Sequence, residues 1–131
     1  MKLEVTRQAA DAMLMAARAA HPLEACGILF GTERRIEAFL ETANVHARPE
    51  RRFEIDPQAL IDAHRSARAG GPRIAGYFHS HPDGIPEPSA TDLAQAAPDG
   101  RVWAIYGEGR LAFFRAVEGG FETLSSALID G

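Results

Sequence analysis

The chain has 131 residues, 46% of them hydrophobic, and a formal net charge of −4 at pH 7. A chain of this length buries roughly two thirds of its unfolded surface, which is enough for one hydrophobic core, so we predict a single domain over residues 1–131. The negative charge argues against nucleic acid as a partner, and the single cysteine excludes an intramolecular disulfide.

The N-terminal residues carry no export or membrane signal. Residues 1–7 lack the apolar stretch of a signal peptide, and the sequence has no run of about eighteen apolar residues that would span a bilayer. The lone Cys26 also suits a reducing compartment. We therefore expect a cytoplasmic protein without a membrane partner.

A helix is predicted near the N-terminus, followed by a β-hairpin. Thr6 is a suitable N-cap for a helix that runs to about Ala20, because apolar side chains recur on one face of this segment and Pro22 ends it. The apolar run 27–31 and the segment 35–40 flank a short polar turn, which is typical of a hairpin. The chain therefore begins as a mixture of helix and strand.

The rest of the chain alternates between helix and strand signals. Asp56 is a suitable N-cap with Pro57 at the first helical position, and Gly70-Gly71-Pro72 ends this second helix. Apolar, strand-like runs predict further strands at 52–55, 73–79, 102–106, 111–117 and 121–124. This order predicts a mixed fold in which helices flank a β-sheet.

Three side chains that can bind a metal lie close together in one short segment. Successive strand side chains alternate between faces, so His79 and His81 point the same way while Ser80 points to the opposite face. After a turn rich in proline and glycine, a short helix that begins at Ser89 would bring Asp92 back toward the two histidines. Two imidazole nitrogens and one carboxylate oxygen suit zinc, and three protein ligands leave the fourth tetrahedral position to water. We therefore predict one Zn2+ ion with a water as its fourth ligand, which is the catalytic pattern.

A catalytic zinc site also needs a base that takes and returns a proton. Glu24 is the best candidate, because it lies at the start of an apolar run that reads as a buried strand, where a carboxylate is otherwise costly. The sequence by itself does not place Glu24 beside the metal.

The chain resembles the JAMM (MPN-plus) zinc metallopeptidases over nearly its whole length. The motif residues of that family occur here in the family's order, which is Glu24, His79-Ser80-His81-Pro82, Ser89 and Asp92. Residues 22–31 look like the segment that bears the family's catalytic glutamate, and residues 52–57 resemble the strand and turn before its second helix. The resemblance implies an α/β (α+β) class with a cytidine-deaminase-like MPN fold, in which helices flank a mixed, curved β-sheet.

The resemblance also implies a role for each motif residue. His79, His81 and Asp92 would hold zinc, Glu24 would activate the zinc-bound water, and Ser89 would help stabilise the tetrahedral intermediate. Family members hydrolyse amide or isopeptide bonds after the C-terminal glycine of ubiquitin or of a ubiquitin-like β-grasp protein. The resemblance therefore predicts a peptidase with such a protein as its substrate.

Simpler explanations exist for several of these residues. An isolated His-x-His pair is more often packed or exposed than metal-bound. The spacing of Ser89 and Asp92 is close to a capping box, which implies nothing catalytic but can coexist with a catalytic role. Cys26 would share a strand face with Glu24, although a small buried core residue is the commoner outcome. His46 has no partner at ligand spacing, but it lies in the segment that in relatives borders the substrate channel.

The shortness of the chain favours one substrate class. Only ten residues separate Asp92 from Trp103, whereas the eukaryotic deubiquitinases resembled here carry longer insertions. The chain is most similar to bacterial enzymes that process ubiquitin-like sulfur-carrier proteins. We expect it to hydrolyse the bond after the C-terminal Gly-Gly of such a carrier, whose extended tail would add a strand to an edge at residues 44–54.

Other functions and assemblies stay open at this level. An isopeptidase that removes ubiquitin-like conjugates from lysines differs only in its leaving group, and a non-catalytic MPN interaction module would bind partners without chemistry. Such modules typically lose metal ligands, whereas all are present here. Phe113, Phe114 and Phe121 either complete the core or form a subunit interface, so a homo-oligomer is also left open.

Overall fold

The computed structural model describes residues 2–131, which form eight strands and three helices. In chain order these are β1 (Leu3–Thr6), α1 (Arg7–Ala20), β2 (Cys26–Gly31), β3 (Arg35–Thr42), α2 (Pro57–Arg68), β4 (Ile74–Ser80), α3 (Ala90–Gln95), β5 (Val102–Gly107), β6 (Arg110–Val117), β7 (Gly120–Leu124) and β8 (Ser126–Ile129). Within residues 2–131, no helix is long and apolar enough to cross a membrane.

The eight strands form one sheet in the order β7-β6-β5-β4-β2-β3-β1-β8. Strand β1 runs parallel to both β3 and β8, and β4 runs parallel to β5. The other neighbours in the sheet are antiparallel. The predicted fold, a mixed and curved sheet with flanking helices, is confirmed.

Helix α1 covers one face of the sheet. The Thr6 side chain caps this helix by accepting a hydrogen bond from the Ala9 amide at 3.2 Å, as the sequence predicts. The buried face of α1, centred on Met13, packs against Leu29 of β2 and Phe78 of β4. This apolar layer holds β2 and β4 rigidly side by side, and these are the two strands that lead into the motif residues.

The opposite face of the sheet is covered by α2 and by an aromatic cluster. Residues of α2 such as Ala63 pack on Cys26 and Ile28 of β2. Trp103 of β5 and Phe114 of β6 form a neighbouring cluster with Phe121. Phe113, Phe114 and Phe121 therefore serve in core packing, which is the first of the two explanations that the sequence allowed for them.

Two strands of the structure were not predicted. Strands β1 and β8 pair with each other in register, with Val5 opposite Leu128. Each has only four residues, and β1 runs directly into the cap of α1, so neither shows a long alternating pattern. Their stability comes from pairing between the two ends of the chain, which local periodicity does not report.

The predicted strand at 52–55 is wrong. Its only ladder contact is an isolated bridge between Asn44 and Ile55. The Asn44 side chain instead bonds to the Arg52 carbonyl and the Glu54 amide at 2.9 and 3.1 Å. An asparagine side chain that takes up main-chain groups in this way competes with strand pairing, so the segment is a loop.

Candidate metal centre

His79, His81 and Asp92 converge on one point on the sheet face opposite α1. His79 lies near the end of β4, His81 follows the strand, and Asp92 lies in the first turn of α3. The two Nε2 atoms are 3.1 Å apart, and Asp92 Oδ2 lies 3.0 Å from His79 Nε2 and 3.3 Å from His81 Nε2. The alternation of strand side chains and the returning helix therefore bring the three side chains together as predicted.

The spacing of these atoms fits a tetrahedral ion. Bonds of about 2.0 to 2.1 Å from zinc to nitrogen or oxygen, at tetrahedral angles, place ligand atoms about 3.3 Å from one another. The observed separations of 3.0 to 3.3 Å are close to that value. Two imidazole nitrogens and a carboxylate oxygen are also donors that zinc prefers. The three residues thus fit a zinc ion and leave one position open.

A capping box fixes Asp92. The Ser89 side chain accepts a hydrogen bond from the Asp92 amide at 3.0 Å, and Asp92 Oδ2 accepts one from the Ser89 amide at 2.9 Å. Burial acts to raise the pKa of Asp92, but hydrogen bonds from His79 and His81 hold that pKa well below its usual range. The carboxylate of Asp92 is therefore ionised. Asp92 takes part in the predicted capping box and is also one of the three predicted metal ligands.

The loop after β4 orients His81. The Nδ1 atom of His81 lies 2.9 Å from the Ile85 carbonyl and donates to it, so Nε2, which faces His79 and Asp92, is the ring nitrogen that would bind a metal. Pro86 is fully buried, and a Cβ atom added to Gly107 would lie 2.5 Å from the Pro86 nitrogen. The loop therefore rests directly on the backbone of β5, and only glycine permits this close approach.

The ring of His79 is held by aromatic side chains. Phe53 stacks on it with ring centroids 4.2 Å apart and an interplanar angle of 13°. Trp103 meets it edge to face at 5.6 Å. No local sequence pattern links Phe53 or Trp103 to His79, so neither residue could be assigned to the site from the sequence.

Sheet register places Glu24 beside the histidines. Cys26 pairs with His79 across β2 and β4, so continuation of this antiparallel register brings Glu24 opposite His81. Buried Ser80, which points to the opposite face as predicted, joins the two strands through Oγ, which accepts the Ala25 amide at 2.8 Å. The predicted base and the predicted metal ligands thus meet, although Glu24 and His79 are 55 positions apart in the sequence.

A groove of about 570 Å³ opens over this cluster. Its lining includes Glu24, His81, Ser89 and Asp92, whereas His79 lies fully buried beneath. Burial raises the pKa of the Glu24 carboxyl to about 7, with His81 opposing the rise and Asp92 adding to it. A carboxyl with this pKa exchanges protons readily near neutral pH, as a general base requires.

The raised pKa of Glu24 predicts a pH-dependent stability of the metal-free protein. Its pKa is about 7 in the folded protein, well above the 4.5 of an unperturbed glutamate. Between these values the folded state binds more protons than the unfolded state, so the free energy of unfolding falls as pH rises. Glu24→Gln removes this contribution and should be more stable than the wild type at pH 8 but not at pH 4. Urea unfolding of both metal-free proteins tests this, and a difference that does not change with pH would contradict it.

Two other residues of interest lie outside the cluster. Cys26 is buried, its Sγ lies 3.6 Å from Thr42 Oγ1, and burial raises the pKa of its thiol to about 11. It is the core residue that the sequence favoured. His46 Nδ1 accepts the Arg48 amide at 3.0 Å within a local turn, and His46 does not line the groove.

The known proteins that this chain is similar to point to one family. The model for prokaryotic homologs of the JAB domain matches residues 6–117. A desampylase from Haloferax volcanii is 32% identical over 134 aligned positions, which cover 97% of this chain and 96% of that protein. A probable TtuB-protein conjugate cleaving protease from Thermus thermophilus is 33% identical over 75 positions, which cover 57% of this chain and 50% of that protein.

A solved structure of a JAMM metalloprotease-like zinc site in the proteasome and signalosome shares the fold. Its TM-score is 0.61 with 19% sequence identity, and the match covers 99% of this chain and all of that one. The family model spans most of the chain, and the desampylase matches nearly its whole length. The resemblance to the JAMM enzymes is thereby confirmed, and the chain belongs to the prokaryotic JAB-domain family of JAMM-type hydrolases.

Proposed function

We propose that this protein is a zinc-dependent peptidase that hydrolyses the bond after the C-terminal Gly-Gly of a ubiquitin-like β-grasp protein. The observation that carries the proposal is the convergence of His79 Nε2, His81 Nε2 and Asp92 Oδ2 beneath a groove that also contains Glu24. The names of the two relatives, desampylase and TtuB-protein conjugate cleaving protease, support a ubiquitin-like partner. A non-catalytic module is not favoured, because every motif position is retained.

The chain's own residues can perform the proton transfers of amide hydrolysis. Bound zinc would polarise the scissile carbonyl and lower the pKa of a water. Glu24 would take a proton from the attacking water and return it to the leaving amine. Ser89 Oγ accepts a hydrogen bond from the Asp92 amide, and this bond leaves the hydroxyl proton of Ser89 unused. The O–H of Ser89 would therefore donate a hydrogen bond to the developing oxyanion.

Conjugates are a second candidate substrate for the same site. The Thermus relative is named as a probable protease that cleaves TtuB-protein conjugates, and this supports a conjugate as a second candidate, in which the leaving amine would be a lysine side chain. The two reactions share the acyl side, namely the Gly-Gly tail in the groove, and differ only in the amine that leaves. Both use the same side chains, so the leaving group has to be determined by assay.

One experiment addresses both substrates. The zinc-loaded protein is incubated with a β-grasp sulfur carrier that has a short extension after Gly-Gly and, separately, with the same carrier linked to a lysine side chain. Intact mass then shows which carrier is released, with the metal-free protein as control. Cleavage of the linear form alone supports a processing peptidase, and cleavage of the lysine-linked form supports an isopeptidase. Failure to cleave either substrate despite bound zinc would contradict the proposal.

A cationic wall of the groove is expected to contribute to substrate binding. Arg51 and Arg52 line the groove together with residues of the loop that follows β4. Arg51→Glu should raise KM up to about fivefold with little change in kcat, since an exposed charge contributes at most about 1 kcal/mol. Arg34→Glu is the matched control, because Arg34 is exposed and does not line the groove. Equal KM values for the Arg51 variant and the wild type would contradict a role for this cationic wall in substrate binding.

A further inference from the structure

The two histidines of the cluster are held in different ways. His81 has a hydrogen-bond partner for Nδ1, the Ile85 carbonyl. His79 Nδ1 is buried and, among residues 2–131, has no hydrogen-bond partner. A metal-binding histidine ordinarily donates its second ring N–H to an acceptor, and this bond fixes the plane of the ring. Within the described part of the chain, no hydrogen bond at Nδ1 fixes the plane of the His79 ring, so packing contacts have to do so on that side.

Phe53 is placed to do so. Its ring lies nearly parallel to the imidazole, 13° from coplanar and 4.2 Å away between centroids. The Trp103 ring stands at 90° to the same imidazole, with ring centroids 5.6 Å apart. The stacked ring of Phe53 and the perpendicular ring of Trp103 block rotation of the imidazole about its bond to Cβ, and so keep Nε2 directed at His81 and Asp92.

The position of Phe53 depends in turn on Asn44. The Asn44 amide nitrogen donates to the carbonyl of Arg52, and its oxygen accepts from the amide of Glu54, so the side chain bonds to the main chain on both sides of Phe53. The same amide nitrogen also donates to the Glu24 carbonyl at 3.0 Å. One asparagine therefore ties the loop that carries Phe53 to the segment that carries the proposed base.

We infer that Phe53 is a positioning residue for the metal site, which orients the His79 imidazole by stacking because Nδ1 has no hydrogen bond within residues 2–131 to do so, and that Asn44 holds Phe53 in place. This inference rests on the proposed zinc site. It predicts that zinc affinity depends on a side chain with no metal-binding atom, located 26 positions from His79 in a loop.

Zinc affinity, measured by chelator competition, tests this inference. Phe53→Leu keeps an apolar side chain but removes the flat face, and we expect zinc to bind about 10-fold more weakly, as is typical when outer-shell support of a ligand is lost. Phe53→Tyr keeps the face and should retain most of the affinity. Phe121→Leu is the matched control, because Phe121 is similarly half-buried and contacts Trp103 at 5.0 Å without stacking on His79.

The possible results separate the alternatives. Equal losses for Phe53→Leu and Phe121→Leu would show general loosening of the aromatic cluster and overturn the inference, as would wild-type affinity for Phe53→Leu. If Phe53→Leu does not fold, Asn44→Asp replaces it, since aspartate lacks the two donors but keeps an acceptor, and unchanged zinc affinity there would overturn the inference. If the wild-type protein binds no zinc, the proposed function is overturned together with this inference. If zinc binds with the same affinity whatever residue replaces Phe53, only this inference is overturned.

Discussion

Glu24→Gln is expected to lower kcat by about 10²- to 10⁴-fold, the usual contribution of a general base, while the protein still binds one equivalent of zinc. Glutamine has nearly the shape of glutamate but cannot take a proton from water. Glu24 lines the groove opposite His81 in the sheet register, yet it is not one of the three converging ligands. Catalysis and metal binding should therefore separate in this variant, as shown by steady-state kinetics and metal analysis of the same sample.

Glu50→Gln is the appropriate control for this variant. Glu50 is an exposed carboxylate of the same groove, so its replacement removes a negative charge from the groove and leaves Glu24 in place. Its kcat should stay within about threefold of the wild type, as an exposed charge is screened by solvent and interacts weakly with its neighbours. Comparable losses in the two variants would show that groove charge, and not a base at Glu24, limits the rate.

Asp92→Asn is expected to weaken zinc binding by more than about 100-fold, beyond the range of outer-shell changes, and to abolish activity with it. An amide oxygen is a weaker donor to zinc than a carboxylate, and the variant also loses the negative charge that offsets the ion. The amide can still accept the Ser89 N–H, so the cap of α3 and the fold should persist. Circular dichroism and chelator competition give the two readouts.

Asp83→Asn serves as the control for the zinc measurement. Asp83 lines the groove but lies outside the converging cluster. Its zinc affinity should match that of the wild type. If Asp92→Asn binds zinc as tightly as Asp83→Asn does, then Asp92 is a cap of α3 and not a metal ligand.

Rules that relate residues close together in the sequence predict the placement of the two histidines and the capping box well. Strand alternation places His79 and His81 on one side of β4, with Ser80 on the other, because each peptide unit reverses the direction of the next side chain. The spacing of Ser89 and Asp92 predicts the capping box, since both hydrogen bonds form within a single turn. These features depend on residues only a few positions apart, so a sequence contains all the information they need.

Local rules fail where a side chain interferes with regular pairing. Residues 52–55 have the apolar alternation of a strand, but the Asn44 side chain takes the carbonyl of Arg52 and the amide of Glu54. The same bonds turn Phe53 toward His79. Asn44 lies eight positions before Arg52, and its side chain could bond either to the main chain or to water. The surrounding fold decides between these, and the residue type alone does not.

The sequence by itself determined the family and predicted the candidate ligands and the candidate base, because each depends on residue types at fixed order and spacing. Only the tertiary structure decided that Glu24 lies beside the three candidate ligands, through the pairing of Cys26 with His79 across β2 and β4. It also decided that Phe53 faces His79 and that β1 pairs with β8. Register between distant strands is set by the packing of the whole sheet between its helices, and no local segment contains that information.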